Sequence, residues 1–288
     1  MNSAGKKAEP VSYDILADCS LEITGKDVPE LDTARALLPA GTRINVTYLA
    51  NENLELRRGA ALAAKRTGFT PVPHIAARRL PDEHALVEFL SALRADGTAE
   101  SLFVIGGDPA RPEGPYPDTL TIIESGLLEQ HGVRQVGIAG YPEAHPAIPT
   151  GELWAALEKK AAALTEHNLS GEVITQFGFD VDAVIDWIEQ TRARDVTLPI
   201  RVGVPGPAGV RRLLTMASRL GVGSSATIAK KYGLSVTNLL GTAGPERFIR
   251  ELAERIDPAN HGRVGLHFYT FGGLRTTAEW IDGFLARV

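Results

Sequence analysis

The stretch Ser101-Leu-Phe-Val-Ile-Gly-Gly-Asp-Pro109 decides how this chain folds. Its unbroken apolar run, Leu102 to Ile105, has the character of a strand buried on both faces of a parallel sheet. Gly106 and Gly107 then allow a sharp turn and a close backbone approach, and Asp108 sets a carboxylate at the strand's C-terminal tip. In barrels and open sheets of alternating strands and helices, ligands bind at that end of the strands. The remaining strands are therefore read for polar residues at the same end.

Working outward, apolar runs alternate with segments of helical period. The strand candidates are Asp18 to Thr24, Thr42 to Tyr48, Thr70 to Ile75, Ser101 to Gly106, Gln135 to Ala139, Glu172 to Phe177, Pro199 to Val204 and Val264 to Phe271. Helix candidates between them include Asp118 to His131, Gly151 to His167 and Val181 to Ala193, with Asp180 as an N-cap and Glu152, Glu158, Lys159 and Lys160 on an exposed charged face. Eight strand-then-helix units in 288 residues predict a single-domain (β/α)8 TIM barrel rather than a doubly wound sheet. The barrel is expected over residues 13–288, with a disordered lead-in over 1–12 and a helical insertion around 221–263.

Composition narrows the function classes. A net charge of −5 with both signs interspersed argues against nucleic acid or an anionic membrane as the main partner. No apolar stretch approaches the roughly 18 residues of a membrane span, and the polar N-terminus lacks a signal peptide's apolar core. The lone Cys19 excludes an internal disulfide and fits a reducing cytoplasmic setting, as a small core residue rather than a nucleophile. Apolar residues on the outer helices leave room for a homo-oligomer.

The C-terminal strand ends read Glu22, Thr47, His74, Asp108, Tyr141 with His145, Gln176, Arg201 and Tyr269. Core packing does not require a polar group at nearly every strand end, so the set points to one mouth. Glu22 and Asp108, on separate strands, suit acid and base work if their environments differ, while pairing with an arginine such as Arg111 is the structural alternative. No Cys pair and no His-Glu-x-x-His is present, and no metal is expected. Gly203-x-x-Gly206-x-x-Gly209 is either a phosphate-binding turn or a plain glycine-proline loop.

Five blocks carry a resemblance: Gly106-Gly-Asp108-Pro, Ala139-Gly-Tyr141-Pro-Glu-Ala-His145-Pro, Leu157-Glu-Lys-Lys160, Ile174-Thr-Gln176-Phe and His267-Phe-Tyr269-Thr. In order and spacing the chain resembles the methylenetetrahydrofolate reductase family, at the length of the bacterial catalytic barrel. The resemblance implies hydride passing from NADH or NADPH through FAD to 5,10-methylenetetrahydrofolate, in one-carbon metabolism. It implies Glu22 as general acid at N10 and Asp108 as the carboxylate that stabilises the iminium cation and influences the flavin. It further implies folate contacts from Gln176 and Tyr269, and a flavin site of Thr47, His74, Gly107, Asp108, Tyr141, His145, Glu152 and Lys160. The chain departs from the family at Leu21-Glu22-Ile23-Thr24-Gly25-Lys26, and Gly106 stands where the family has an arginine, so direct hydride transfer without flavin is an open alternative. A folate methyltransferase and a non-catalytic folate- or flavin-binding protein are the others.

Overall fold

Strand β4 (Ser101–Ile105) is buried along its first four residues, as its apolar run demands. Around it the chain builds α1 (Asp14–Ala17), β1 (Ser20–Ile23), α2 (Leu31–Leu37), β2 (Arg43–Val46), α3 (Leu54–Arg66), β3 (Thr70–Ala76) and α4 (Glu83–Asp96). After β4 come α5 (Thr119–Glu124), α6 (Leu127–Gln130), β5 (Gln135–Gly140), α7 (Thr150–Glu166), β6 (Ser170–Phe177), α8 (Val181–Arg192), β7 (Ile200–Pro205), β8 (Ala208–Gly209) and α9 (Val210–Leu220). The chain ends with β9 (Thr242–Ala243), α10 (Glu246–Arg255), α11 (Pro258–His261), β10 (Val264–Tyr269) and α12 (Leu274–Leu285). This computed structural model describes residues 14–49, 53–220 and 242–287.

Eight parallel strands close in the order β1-β10-β7-β6-β5-β4-β3-β2, with β8 and β9 forming a separate antiparallel pair. The expected (β/α)8 barrel is the fold, and each barrel strand falls within two residues of its expected bounds. The lead-in over 1–12 and the expected helix around Ala226 to Lys231 lie outside the described residues, while α10 supplies the insertion's second helix.

Local chemistry sets the element ends. Asn53, Asp82, Asp118 and Asp180 each accept a backbone N–H from the first turn of α3, α4, α5 and α8. The single helix expected over Asp118 to His131 is two: Gly126, at φ 70°, takes a left-handed conformation that a continuous helix cannot contain. Cys19 is buried just before β1, and burial pushes its thiol up to about 12, which suits a core residue.

Alternation along the strands divides the apolar residues into two cores. Leu21, Ile23, Ile44, Val104, Val136, Val202 and Phe268 point outward to the helices in the main core. Val72, Phe103 and Ile174 form a second core, joined by Ile105 and Ala139. Fully burying each such side chain contributes about 1.5–3 kcal/mol.

One expected site residue sits at the opposite end of the barrel. Arg201, placed above among the C-terminal strand ends, lies at the second residue of β7. Its Nε donates to Glu172 Oε2 at 2.8 Å and its Nη2 to Asp18 Oδ2 at 2.9 Å. Arg43 donates to both carboxylates, and Arg263 pairs with Asp18. A polar residue on a barrel strand reaches the mouth only near the strand's C-terminal end, and Arg201 lies at the start of β7.

Gly203 likewise belongs to β7 and not to a phosphate-binding turn. A Cβ there would stand 2.4 Å from Thr175 O and 2.7 Å from Phe177 N, where β6 and β7 shift register between Ile174 and Phe177. Gly203→Ala is therefore expected to lower stability by about 1–3 kcal/mol, read as a lower midpoint in urea. An unchanged midpoint would show that β6 yields freely at this point.

Candidate active site

The mouth is built by period-two alternation. Glu22 on β1, His74 on β3 and Tyr269 on β10 turn the same way as Ser20, Asn45 and His267 beneath them, so one side of the barrel is lined with polar side chains. The second core of Val72, Phe103 and Ile174 lines the other side.

Glu22 is the electrostatic centre. Its side chain is one-fifth exposed, and its Oε2 lies 3.7 Å from His267 Nε2. Desolvation is the largest single influence and pushes its pKa up. The neighbouring His267 imidazole, charge from His74 and a hydrogen bond from Thr47 together outweigh it, so Glu22 is held below the usual carboxylate range. His74 is buried, with Nε2 3.4 Å from Asn45 Oδ1 and its ring edge-on to Phe103 at 4.8 Å. Burial, only partly offset by Glu22, lowers it to about 4, so it is neutral near pH 7. Tyr269 donates to Thr175 O at 3.0 Å, and burial with the nearby Glu22 and Tyr141 raises its phenol well above the ordinary value.

Two half-buried aromatic rings stand beside these groups: Tyr269 and Phe271 stack at 5.9 Å, backed by the fully buried Phe177, which meets them at 5.3 Å and 5.1 Å. Gln176 Oε1 accepts from Phe177 N–H at 3.0 Å, which leaves its amide nitrogen to donate.

The β5 and β6 ends are tied together. Glu143 accepts from Phe179 N–H at 2.7 Å and from Asp180 N–H at 3.0 Å, joining the loop after β5 to the start of α8. Tyr141 and His145 on that loop meet edge-on at 5.1 Å, and Ala144 between them adopts φ 68°. A left-handed non-glycine residue costs on the order of 1–3 kcal/mol and persists where its surroundings hold it.

Asp108 and the α7 residues stand apart from this centre. Asp108 is 75% exposed and bound by the Arg79 guanidinium at 2.9–3.0 Å. Arg79 also pairs with Glu113, and Arg78 donates to Pro109 O and Pro117 O. The arginine partner foreseen for Asp108 is thus Arg79, not Arg111. Gly107 takes φ 91° in the same loop, which explains a glycine there. Glu152 is exposed in the first turn of α7. Lys160, expected on an exposed face, is half-buried. Burial, opposed only by Asp118, lowers its ammonium to about 8.

Among the described residues no three or more His, Cys, Asp or Glu side chains are grouped to hold a metal ion, and no helix is long and apolar enough to cross a membrane.

Three comparisons bear on this site. The family model described as methylenetetrahydrofolate reductase matches residues 31–279. A Saccharomyces cerevisiae protein named methylenetetrahydrofolate reductase 2 is 30% identical over 114 residues, which is 36% of this chain and 18% of the yeast protein. The 5,10-methylenetetrahydrofolate reductase of Pectobacterium carotovorum is 26% identical over 192 residues, 62% of this chain and 58% of that one. The chain thus matches less than two-thirds of either relative's length. Among solved structures, dihydropteroate synthase from Thermus thermophilus aligns over 96% of both chains, with TM-score 0.49 and 14% identity.

Proposed function

Because the chain belongs to the methylenetetrahydrofolate reductase family, we propose that it interconverts 5,10-methylenetetrahydrofolate and 5-methyltetrahydrofolate with NADH or NADPH at the barrel mouth. The observation that carries this reading is Glu22, a one-fifth exposed carboxylate beside His267, His74 and Thr47. In the reductive direction the substrate takes a hydride at its methylene carbon and a proton at N10. Glu22 is the residue for that proton. It is ionised in the free protein, and a pterin laid across the mouth removes its remaining solvent, raises its pKa and couples protonation to binding. The half-buried rings of Tyr269 and Phe271 suit the flat pterin, and Gln176 offers it a donor.

FAD needs an apolar slot and a cation for its diphosphate. A candidate for the cation is Lys160, a desolvated ammonium without an ion-pair partner among the described residues. We assign Thr47, His74, Gly107, Asp108, Tyr141, His145, Glu152 and Lys160 to holding it. When bound, it would take hydride from the nicotinamide and return it to the folate. The Arg79–Asp108 pair would present to it a neutral dipole rather than a bare carboxylate.

A second reading, direct transfer from the nicotinamide to the folate, is favoured by the same arginine. Arg79 is spent on Asp108 and Glu113, which leaves Lys160 to meet the diphosphate. One cation suits a co-substrate that comes and goes at micromolar affinity, about 8 kcal/mol, better than a resident cofactor needing about 12.

An absorbance spectrum of the purified protein, followed by anaerobic NADH and then methylenetetrahydrofolate, tests both. A flavin band bleached by NADH and restored by folate is the expected result for FAD. Folate-dependent NADH loss without a flavin band means direct transfer, and no reaction in either case overturns the reductase reading.

A further inference from the structure

Two loops at the rim of the mouth meet through one side chain that the chemistry above leaves unused. Helix α8 begins at Asp180, whose own carboxylate accepts from Asp182 N–H at 3.1 Å. Such a helix start is closed when a glutamate three residues on accepts from the N-cap N–H, but Ala183 stands at that position. Glu143 supplies the missing acceptor from the loop after β5. Its Oε1 takes both Phe179 N–H at 2.7 Å and Asp180 N–H at 3.0 Å. A Cβ at Gly178 would stand 2.6 Å from that same oxygen, so the carboxylate fills the space a side chain at 178 would need.

Two residues before Glu143 is Tyr141, and two after it is His145. Ala144, at φ 68°, donates its N–H to Tyr141 O at 3.3 Å, which turns the loop and sets the two rings edge-on. His145 Nδ1 accepts from Ala147 N–H at 3.2 Å, so in the neutral ring the proton sits on Nε2. Partial burial lowers the His145 pKa and favours that neutral ring. On the other loop, Gln176 lies two residues before Gly178, whose N–H donates to Gly203 O of β7 at 3.3 Å.

We propose that Glu143 is a positioning residue: by clasping the start of α8 it fixes Tyr141 and His145, on the hydride donor's side of the mouth, at a set distance from Gln176 on the folate's side. This rests on the reductase reading above. Glu143 acts through the two loops rather than on the reacting atoms, since its Oε1 is taken up by the α8 start. Hydride transfer needs close approach of donor and acceptor, and a misplacement of about 1 Å can cost about 10²-fold in rate.

The test compares kcat, KM and thermal midpoint in wild type, Glu143→Ala, Glu143→Gln, Gly178→Ala and Asp180→Ala, with the His145 ring nitrogens followed by NMR. Glu143→Ala is expected to lose about 10²-fold in kcat while KM for methylenetetrahydrofolate changes less than a few-fold, and its His145 to lose the single Nε2–H tautomer. Glu143→Gln keeps an acceptor oxygen and should stay within about tenfold of wild type. Gly178→Ala should reproduce the loss, because its methyl displaces the Glu143 carboxylate, and adding it to Glu143→Ala should cost little more. Asp180→Ala removes the helix's own cap and should lower the midpoint by a few degrees with kcat near wild type. Wild-type kcat in Glu143→Ala, or a loss in Asp180→Ala as large as that of Glu143→Ala, would overturn the proposal and leave Glu143 a helix cap. If Glu143→Ala does not fold, Gly178→Ala decides by the same criteria. Absence of folate-dependent nicotinamide oxidation in wild type would instead overturn the reductase reading. The His145 signals, which need no turnover, then decide whether the clasp holds its loop: unmoved signals in Glu143→Ala and Gly178→Ala would overturn it.

Discussion

Glu22→Gln is expected to lower folate-dependent nicotinamide oxidation by about 10²- to 10⁴-fold, the range for loss of a positioned general acid. Glutamine keeps the shape and can still hydrogen-bond to Thr47, but its amide cannot hand over a proton. Binding of 5-methyltetrahydrofolate should stay within a few-fold, so the loss falls on kcat and kcat/KM together. The substitution also removes the charge that partly offsets the desolvation of His74, so that histidine should titrate below about 4. Steady-state kinetics with both substrates varied would read the first effect, and NMR titration of the imidazoles the second. Full turnover in Glu22→Gln would contradict the assigned role, whatever the route of the hydride.

Arg201→Ala should destabilise the protein by about 3–5 kcal/mol near neutral pH, because it removes one member of a buried charge set and leaves the others in place. Glu172 is 4% exposed at its side chain and would retain Arg43, whose nearest nitrogen is 3.2 Å away, as its ion-pair contact. Desolvation, the largest influence, already raises the Glu172 pKa against the pull of Arg43 and Arg263. A carboxyl raised in the folded state costs stability as pH climbs above its unfolded value, and that cost is absent below it. The variant's deficit should therefore shrink as the pH falls below about 4.5. Urea denaturation of wild type and variant at pH 7 and near pH 4 would measure it, and an equal deficit at both would show that packing, not charge, is what Arg201 provides. Arg263, more than two-thirds exposed, should matter far less.

The barrel was legible because both of its periods are plain in the residues. Runs such as Leu102 to Ile105 and Val202 to Val204 are too short and too apolar for surface helices, and capping residues such as Asp180 mark where helices resume. At the mouth, Glu22, His74 and Tyr269 were legible for a simpler reason: a polar side chain at the end of an apolar strand has few structural excuses. What failed was depth. Arg201 and Glu22 are both polar residues on barrel strands, yet they belong to opposite ends, and only register separates them. His267 was visible in the quoted His267-Phe-Tyr269 block, where a spacing of two puts it on the same face as Tyr269, one layer down. Arg79 and Glu143 left no comparable signal, since their partners are 29 residues and 36–37 residues distant in the chain.

The barrel's two-sided lining has a consequence for how such a protein can change over time. Substitutions at Val72 or Ile174 alter how deep and wide the interior is, whereas Phe103 also meets the His74 ring. Substitutions at Ser20 or Asn45 alter the hydrogen-bond partners of His267 and His74. Fit and polarity are thus written largely in different side chains, which meet on β3, where Val72 and His74 share a strand, and at the His74–Phe103 contact.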